Sequence, residues 1–416
     1  MEKYSEYKDS GVQWLGEIPS HWKLLRNKSF MNLTDEKVEQ RKNFILLSLT
    51  KQGVIIRDLS EGKGKFPKNF NTYLVVRPNN LVFCLFDVDE TPRTVGLVRN
   101  VGMLTGAYTN FKLKENVVLP EYAYYYYLQV DDVKGLKPYY TGLRKVVKTN
   151  TFLQLRMPVP PIEEQHAIVS YLDTKCSKLD TFISNKEKEI TFLQEMKLRV
   201  ITDAVTCGLN PNVKFKPTNI PWLPEIPEHW KMSKVSSHFR QRNEKVSDKK
   251  YRPLSVSKIG ITPQLDNVAL SNAEGNSRKL VKVGDYAVNS RSDRKGSCGI
   301  SNYEGSVSLI TIVLEPFDID GGYVHYLFRS SPWVEEFYRN GRGIVADLWT
   351  TNYQMMKGMY LPVPPIEEQH AIVSYITERV AKIDSLIEKL NKEIECIKEY
   401  KQRLISDVVT GQIKVS

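Results

Sequence analysis

Towards the end of the chain, apolar residues recur at alternating intervals of four and three: Ile376, Val380, Ile383, Ile387, Leu390, Ile394, Ile397, Lys401, Leu404 and Val408, nine of the ten being apolar. The same sites 204 positions earlier read Leu172, Cys176, Leu179, Ile183, Lys186, Ile190, Leu193, Lys197, Val200 and Ala204, eight of them apolar. A 3.5-residue period held over this length is a coiled-coil pattern. Prolines stop helix upstream of Ile162 and Ile366, and Glu163, Glu164, Glu367 and Glu368 fall in the first turns, where carboxylates complement the helix dipole. The pattern predicts a helix over Ile162–Cys207, roughly 70 Å long at 1.5 Å per residue. A helix much beyond about 25 residues outgrows one small domain. The two copies are therefore expected to pack antiparallel on each other through Leu172, Leu179, Ile183, Ile190, Leu193, Ile376, Ile383, Ile387, Leu390, Ile394, Ile397 and Leu404. The competing reading makes each helix the core of its own domain.

Between these segments the pattern changes to short β-branched and aromatic runs separated by Gly, Asn, Asp and Pro. FILLSLT (44–50), TYLVVRP (72–78), LVFCLF (81–86), YRPLSVS (251–257) and SLITIVLEP (308–316) predict strands in a mixed sheet. PEYAYYYYLQV (120–130) and GGYVHYLFRSS (321–331) predict helices. The tyrosine run could stack on bases, but adjacent tyrosines point all round a helix and some must pack inside. The fold class is α+β: two mixed blocks, roughly 20–157 and 222–361, joined by two long antiparallel coiled-coil helices. The apolar runs are too short to span a bilayer.

The chain is also internally duplicated. PVPPIEEQHAIVSY occurs at 158–171 and again at 362–375, and aligning 158–209 with 362–413 gives 27 identities in 52 positions. GVQWLGEIPSHWK (11–23) matches NIPWLPEIPEHWK (219–231) at eight of thirteen positions, and LLSLTKQG (46–53) echoes PLSVSKIG (253–260). The segments are 1–157, 158–210, 211–361 and 362–416, related by a pseudo-twofold repeat. One architecture is thus reused with two divergent surfaces. A pseudo-symmetric pair of helices can carry two copies of another protein. Glu163, Glu164, Gln165, Glu367, Glu368 and Gln369 are the docking candidates, because the polar positions match more closely than a solvated face requires. Trp14, Trp22, Trp222 and Trp230 read as anchors between block and helix, and His166 and His370 as packing residues.

Charge narrows the partner. The 416 residues carry 59 Lys+Arg against 48 Asp+Glu, a formal +11, which favours a polyanion. Basic residues gather on turn-like stretches, where Arg, Lys, Asn and Ser read base edges and hold phosphates. The candidates are Lys51, Arg57, Lys63, Lys65, Arg93, Arg144, Lys145 and Lys148 in the first block, with Lys68 and Arg99 nearby. In the second block they are Lys258, Asn289, Arg291, Arg294, Lys295 and Arg342, beside KKYR (249–252). Any single lysine among them is more simply ordinary surface charge; as clustered sets on matched blocks they favour DNA.

Catalytic patterns are missing. GxxxxGK[ST], GxGxxG, N/D-P-P-Y/F, HExxH and GxSxG do not occur, and Asp293-Arg294-Lys295 lacks the upstream acid of a nuclease D-x-K site. The five cysteines form no CxxC, which argues against a disulfide framework or structural zinc and fits a reducing cytosol. The polar start MEKYSEYKDSGVQW shows no signal peptide.

LPVPPIEEQHAIVSY and MPVPPIEEQHAIVSY, each followed by a long helix, together with WLGEIPSHWK and WLPEIPEHWK, resemble the specificity subunits of type I restriction–modification systems. TGLRKVVKTNTFLQLRMPVP (141–160) and NGRGIVADLWTTNYQMMKGMYLPVP (340–364) are similar to the ends of that family's target-recognition domains, with TG-L-R in one half and NG-R-G in the other. The resemblance covers nearly the whole chain. It implies two target-recognition domains, each reading half of a split duplex site, with the helices setting the gap. It also implies two methyltransferase subunits and motor–nuclease subunits as partners; S-adenosylmethionine, ATP and Mg would bind there and none on this chain, which would be non-catalytic and cytoplasmic. Two rivals stay open: a fused restriction or methylation enzyme, and a coiled-coil scaffold that binds only proteins.

Overall fold

The computed structural model describes residues 2–12, 14–38, 44–57, 70, 72–264, 277–343 and 349–415. Its α-helices are α1 (Pro120–Asp132), α2 (Thr149–Gln154), α3 (Ile162–Cys207), α4 (Gly321–Leu327), α5 (Ser331–Arg339), α6 (Tyr353–Met356) and α7 (Ile366–Val409). The two long helices begin where the prolines end: α3 has 46 residues and α7 has 44. The chain forms two compact units, Met1–Lys186 with Lys392–Ser416, and Glu187–Asn391. The segments 158–210 and 362–416 therefore each contribute to both units.

The first unit holds two four-stranded sheets. One runs in the order Gly53–Ile56, Ile45–Thr50, Gly102–Leu104, Leu74–Val76, and the other Met31–Thr34, Thr109–Leu113, Leu81–Phe83, Val95–Leu97. The pairings are antiparallel except that of Gly102–Leu104 with Ile45–Thr50, which is parallel, so the first sheet is mixed. Leu81, Val82 and Phe83 are all buried, because this strand is covered on both faces. Pro120 opens α1 at a position where its missing N–H costs no hydrogen bond. Tyr122, Tyr125, Tyr126 and Tyr127 are buried in the same core as Phe83 and Phe152, with the Tyr127 ring against both, so the tyrosine run forms core rather than a platform for bases. The strand Arg156–Val159 pairs antiparallel with Lys23–Arg26, which brings the end of the block back to its beginning just before α3.

The second unit has a four-stranded sheet in the order Phe239–Gln241, Thr311–Pro316, Tyr286–Asn289, Cys298–Ile300. It also has a three-stranded sheet of Lys245–Val246, Arg278–Val281 and Gly305–Ser308, and a hairpin of Leu254–Ser257 with Gly260–Pro263. Here Tyr360–Val363 pairs with Lys231–Lys234 just before α7. The buried core includes Tyr286, Leu314, Tyr323, Phe328 and Trp333, with the Phe328 and Trp333 rings stacked 4.5 Å apart.

Within the first unit, α3 and α7 run antiparallel. Lys401 donates to Asp180 at 2.6 Å and Lys186 lies 3.2 Å from Glu393, so partners descend along α7 as they ascend along α3. In the second unit Lys197 donates to Asp384 at 2.7 Å. The twelve seam candidates are all buried or half-buried. Three of them do more than face the other helix. Leu172 near the start of α3 and Leu404 near the end of α7 belong to the first unit's core, and Ile376 near the start of α7 to the second's.

Candidate nucleic-acid interface

The helix starts are fastened before any loop is presented. In the first unit Glu164 is buried and accepts from the Trp22 indole N–H at 3.0 Å, pairs with His21 Nε2 at 2.9 Å, and accepts from the Tyr4 hydroxyl. Gln165, fully buried, accepts from the Leu119 N–H at 2.8 Å and donates to the carbonyls of Val117 and Pro160. In the second unit Glu368 meets His229 Nε2 at 2.7 Å, and Gln369 accepts from the Asp320 N–H at 2.8 Å and donates to the Pro364 carbonyl. The buried Trp230 indole N–H has no hydrogen-bond partner among the described residues. Of the docking candidates, Glu164, Gln165 and Gln369 are buried and spend polar atoms on partners from their own block, and Glu368 is half-buried on His229. Glu163 and Glu367 alone of the six stay exposed.

The first unit's basic candidates divide by what already holds them. Lys51, Arg144 and Lys148 are exposed, and Arg144 lies over the Phe86 ring at 5.8 Å. Lys145 bridges Asp89 at 2.9 Å and Glu90, which hold its ammonium well above the ordinary lysine range, Glu90 first. Arg93 lies 3.6 Å from the buried Asp131 and donates to the Lys51 carbonyl at 3.2 Å. These two cations are braces, since their charges are spent on carboxylates of the same unit. Arg57 is half-buried at a strand end. Lys63, Lys65 and Lys68 lie outside the described residues.

In the second unit Thr350 joins two separate basic stretches. It exchanges backbone hydrogen bonds with Arg342 at 3.0 and 3.1 Å and also bridges to Arg291. The Ser292 N–H donates to the Trp349 carbonyl at 2.9 Å, and the Asn289 N–H to Ser297 at 2.8 Å, closing the loop. Arg294 and Arg342 are exposed. Arg291 lies 3.0 Å from Asp293, and Lys295 2.9 Å from Glu335. A cavity of 580 Å³ beside this loop is lined by Trp222, Asp293, Lys295, Glu335, Arg339 and Trp349. Lys258 is exposed on a different loop, the tip between Leu254–Ser257 and Gly260–Pro263. Among the described residues, no group of three or more His, Cys, Asp or Glu could hold a metal ion, and no helix is long and apolar enough to cross a membrane.

The sequence reading missed the apolar residues that stand out in solvent. Leu143 is fully exposed beside Arg144, and Ile259 is 83% exposed beside Lys258. The turn residues TG-L-R and SK-I-G marked both as tips. On the helices, Phe182 and Tyr400 in the first unit, and Leu386 and Met196 in the second, are each about half exposed. Each precedes a seam position by one residue, and in an antiparallel pair such positions flank the same side of the seam. The ion pairs Asp180–Lys401 and Asp384–Lys197 set Phe182 level with Tyr400 and Leu386 level with Met196.

Each unit thus carries exposed basic loops on a mixed α/β body fastened to the start of a long helix. Comparison with known proteins shows what the chain is similar to. Residues 97–191 match the family described as type I restriction modification DNA specificity domain. The chain is 22% identical to the type I restriction enzyme MjaVIII specificity subunit of Methanocaldococcus jannaschii, over all of this chain and 98% of that one. It is 23% identical to the EcoBI specificity subunit of Escherichia coli, over 65% of this chain and 60% of that one. A solved structure described as the basis of complex assembly and conformational transition of the type I R-M system has this fold. It matches with a TM-score of 0.68 and 14% identity, over 95% of this chain and 99% of that chain. The HsdS subunit from Thermoanaerobacter tengcongensis matches with a TM-score of 0.50 and 14% identity, over 95% and 98%. Residues 97–191 thus match a type I DNA specificity domain, and the chain is similar along its length to the specificity subunits of type I restriction–modification systems.

Proposed function

We propose that this chain is the non-catalytic specificity subunit of a type I complex, recognising a two-part, asymmetric duplex site with one half read by each unit. The observation that carries the reading is the pairing of like fastening with unlike loops. Glu164 and Glu368 hold the same kind of His partner, whereas the exposed cations differ: Lys51, Arg144 and Lys148 in one unit, Lys258, Arg294 and Arg342 in the other. A reader of two different half-sites needs a constant frame with variable tips.

In this reading α3 and α7 form a pseudo-twofold coiled coil that sets the gap between half-sites. Two methyltransferase subunits dock on it, and motor–nuclease subunits join them. The 4,3 spacing of the seam supports the first part. The exposed pairs Phe182–Tyr400 and Leu386–Met196, one per unit, support the second, since clustered exposed apolar side chains mark protein contacts. S-adenosylmethionine, ATP and Mg belong to those partners, and the complex works in the cytoplasm.

Titrating the full-length chain onto duplex DNA tests the reading. Neutralising about six phosphates lowers affinity about a thousand-fold between 50 and 200 mM salt, through counterion release. A protein-only scaffold would show no duplex affinity and no salt slope. Methylation or cleavage by the chain alone would favour the fused-enzyme reading instead.

A further inference from the structure

We infer that Gln52 and Ile259, at the tips of two like-built hairpins, are base-reading residues, Gln52 for adenine and Ile259 for the thymine methyl. The inference rests on the DNA-reading assignment above and names where in each unit the reading is done.

The two hairpins share one construction. Ile45–Thr50 pairs with Gly53–Ile56 in a register that closes on Thr50 and Gly53, and Leu254–Ser257 pairs with Gly260–Pro263, closing on Ser257 and Gly260. In both, the hydroxyl before the tip donates to the glycine carbonyl after it, at 3.1 Å from Thr50 and 3.2 Å from Ser257. Gly53 and Gly260 have φ of +99° and +115°, which side-chain-bearing residues rarely adopt, so glycine is required there for the turn to close. What remains is a two-residue tip: Lys51-Gln52 in the first unit and Lys258-Ile259 in the second, all four residues exposed.

The tips are alike in their first residue and unlike in their second. A lysine at the first position supplies a charge for a phosphate whatever the sequence. The second position differs in hydrogen-bonding character, as two different half-sites demand. The glutamine amide offers a donor and an acceptor matched to adenine N6 and N7, and an aliphatic side chain makes apolar contact with the thymine methyl. A two-stranded ribbon is narrow enough to enter the major groove, where those atoms are displayed. Ile259 is 83% exposed and belongs to none of the buried apolar clusters among the described residues. The first tip is also held in place: Arg93 donates to the Lys51 carbonyl while its guanidinium lies against the buried Asp131 of α1. A tip fixed in this way presents Gln52 at a set position, as base discrimination requires.

Selection of sites from a randomised duplex pool by the full-length chain tests this, with Gln52→Ala, Ile259→Ala, Gln52→Glu and Lys51→Ala beside the unaltered protein. Gln52→Ala is expected to flatten the preference at one A·T pair in one half, with discrimination there falling about ten-fold or more. Ile259→Ala is expected to do the same at one pair in the other half. Gln52→Glu should move the preference at its pair towards cytosine, whose N4 amino group a carboxylate accepts from. Lys51→Ala should weaken all sequences alike and reduce the salt slope by about one. A defined two-part site from the unaltered chain with unchanged preferences in Gln52→Ala and Ile259→Ala would overturn the inference and leave the DNA reading standing. An unaltered chain that selects no site would overturn both.

Discussion

The indole N–H of Trp22 donates to the carboxylate of Glu164 across 3.0 Å, joining two of the duplicated sequence stretches at positions 142 apart. The first stretch supplies Trp22 and His21; the second supplies Glu164 at the start of α3. The block is thereby fastened to the helix by buried polar partners as well as by apolar packing. In Glu164→Ala the Trp22 N–H stays buried with no acceptor, which costs about 1–3 kcal/mol. Glu368→Ala should cost less, because Glu368 is partly exposed and the Trp230 N–H already lacks a partner among the described residues. Denaturant midpoints of the two variants check the order; a larger loss in Glu368→Ala would contradict it.

The seam and its flank should respond differently to truncation. Leu390 is 7% exposed and Leu386, four residues away on the same helix, is 48% exposed. Leu390→Ala should destabilise by about 2–5 kcal/mol and Leu386→Ser by under about 0.5 kcal/mol. If the flank is a docking surface, Leu386→Ser combined with Met196→Ser leaves stability intact and weakens capture of one methyltransferase copy. Sedimentation of the reconstituted complex reads that loss; full occupancy by two copies would count against the docking proposal.

The second unit contains a histidine that resists protonation. His325 is mostly buried, and burial first, then the Arg329 charge, push its pKa down to about 4. The unfolded chain takes up this proton near the ordinary value of about 6.5, before the folded one does. Its contribution to stability is therefore full above about pH 6.5, lost as pH falls towards 4, and constant below that. The loss amounts to about 3 kcal/mol. His325→Gln should lower the acid sensitivity measured by unfolding midpoints between pH 7.5 and 4.5, and equal sensitivity in both proteins would refute the assignment.

Deleting one heptad within 172–204 should change the preferred gap between half-sites, or abolish binding, while the preference within each half survives. Site selection with the shortened chain reads this directly, and retention of the original gap would mean the helices do not set it.

The long helices were legible because their period is local: seam residues such as Ile183 and Ile394 recur within a turn or two, and Pro161 and Pro365 mark where helix can begin. The strands at 45–50, 74–76, 81–83, 254–257 and 311–316 were legible for the same reason. Strand order was not, because the parallel partner of Ile45–Thr50 comes from Gly102–Leu104, far along the chain. The site was harder still. A basic residue on a turn looks the same in sequence whether it faces solvent, as Lys148 does, or is held by Asp89 and Glu90, as Lys145 is. Identical letters in the two helix starts suggested a shared external partner, but could not show that Glu164 and Gln369 also fasten each helix start to its own block.

The most direct measurement is the recognition site of a chain in which residues 20–157 are replaced by the corresponding block of a relative with a different target. The account predicts that one half of the site changes while the other half and the gap are retained. A change in both halves, or in neither, would contradict it.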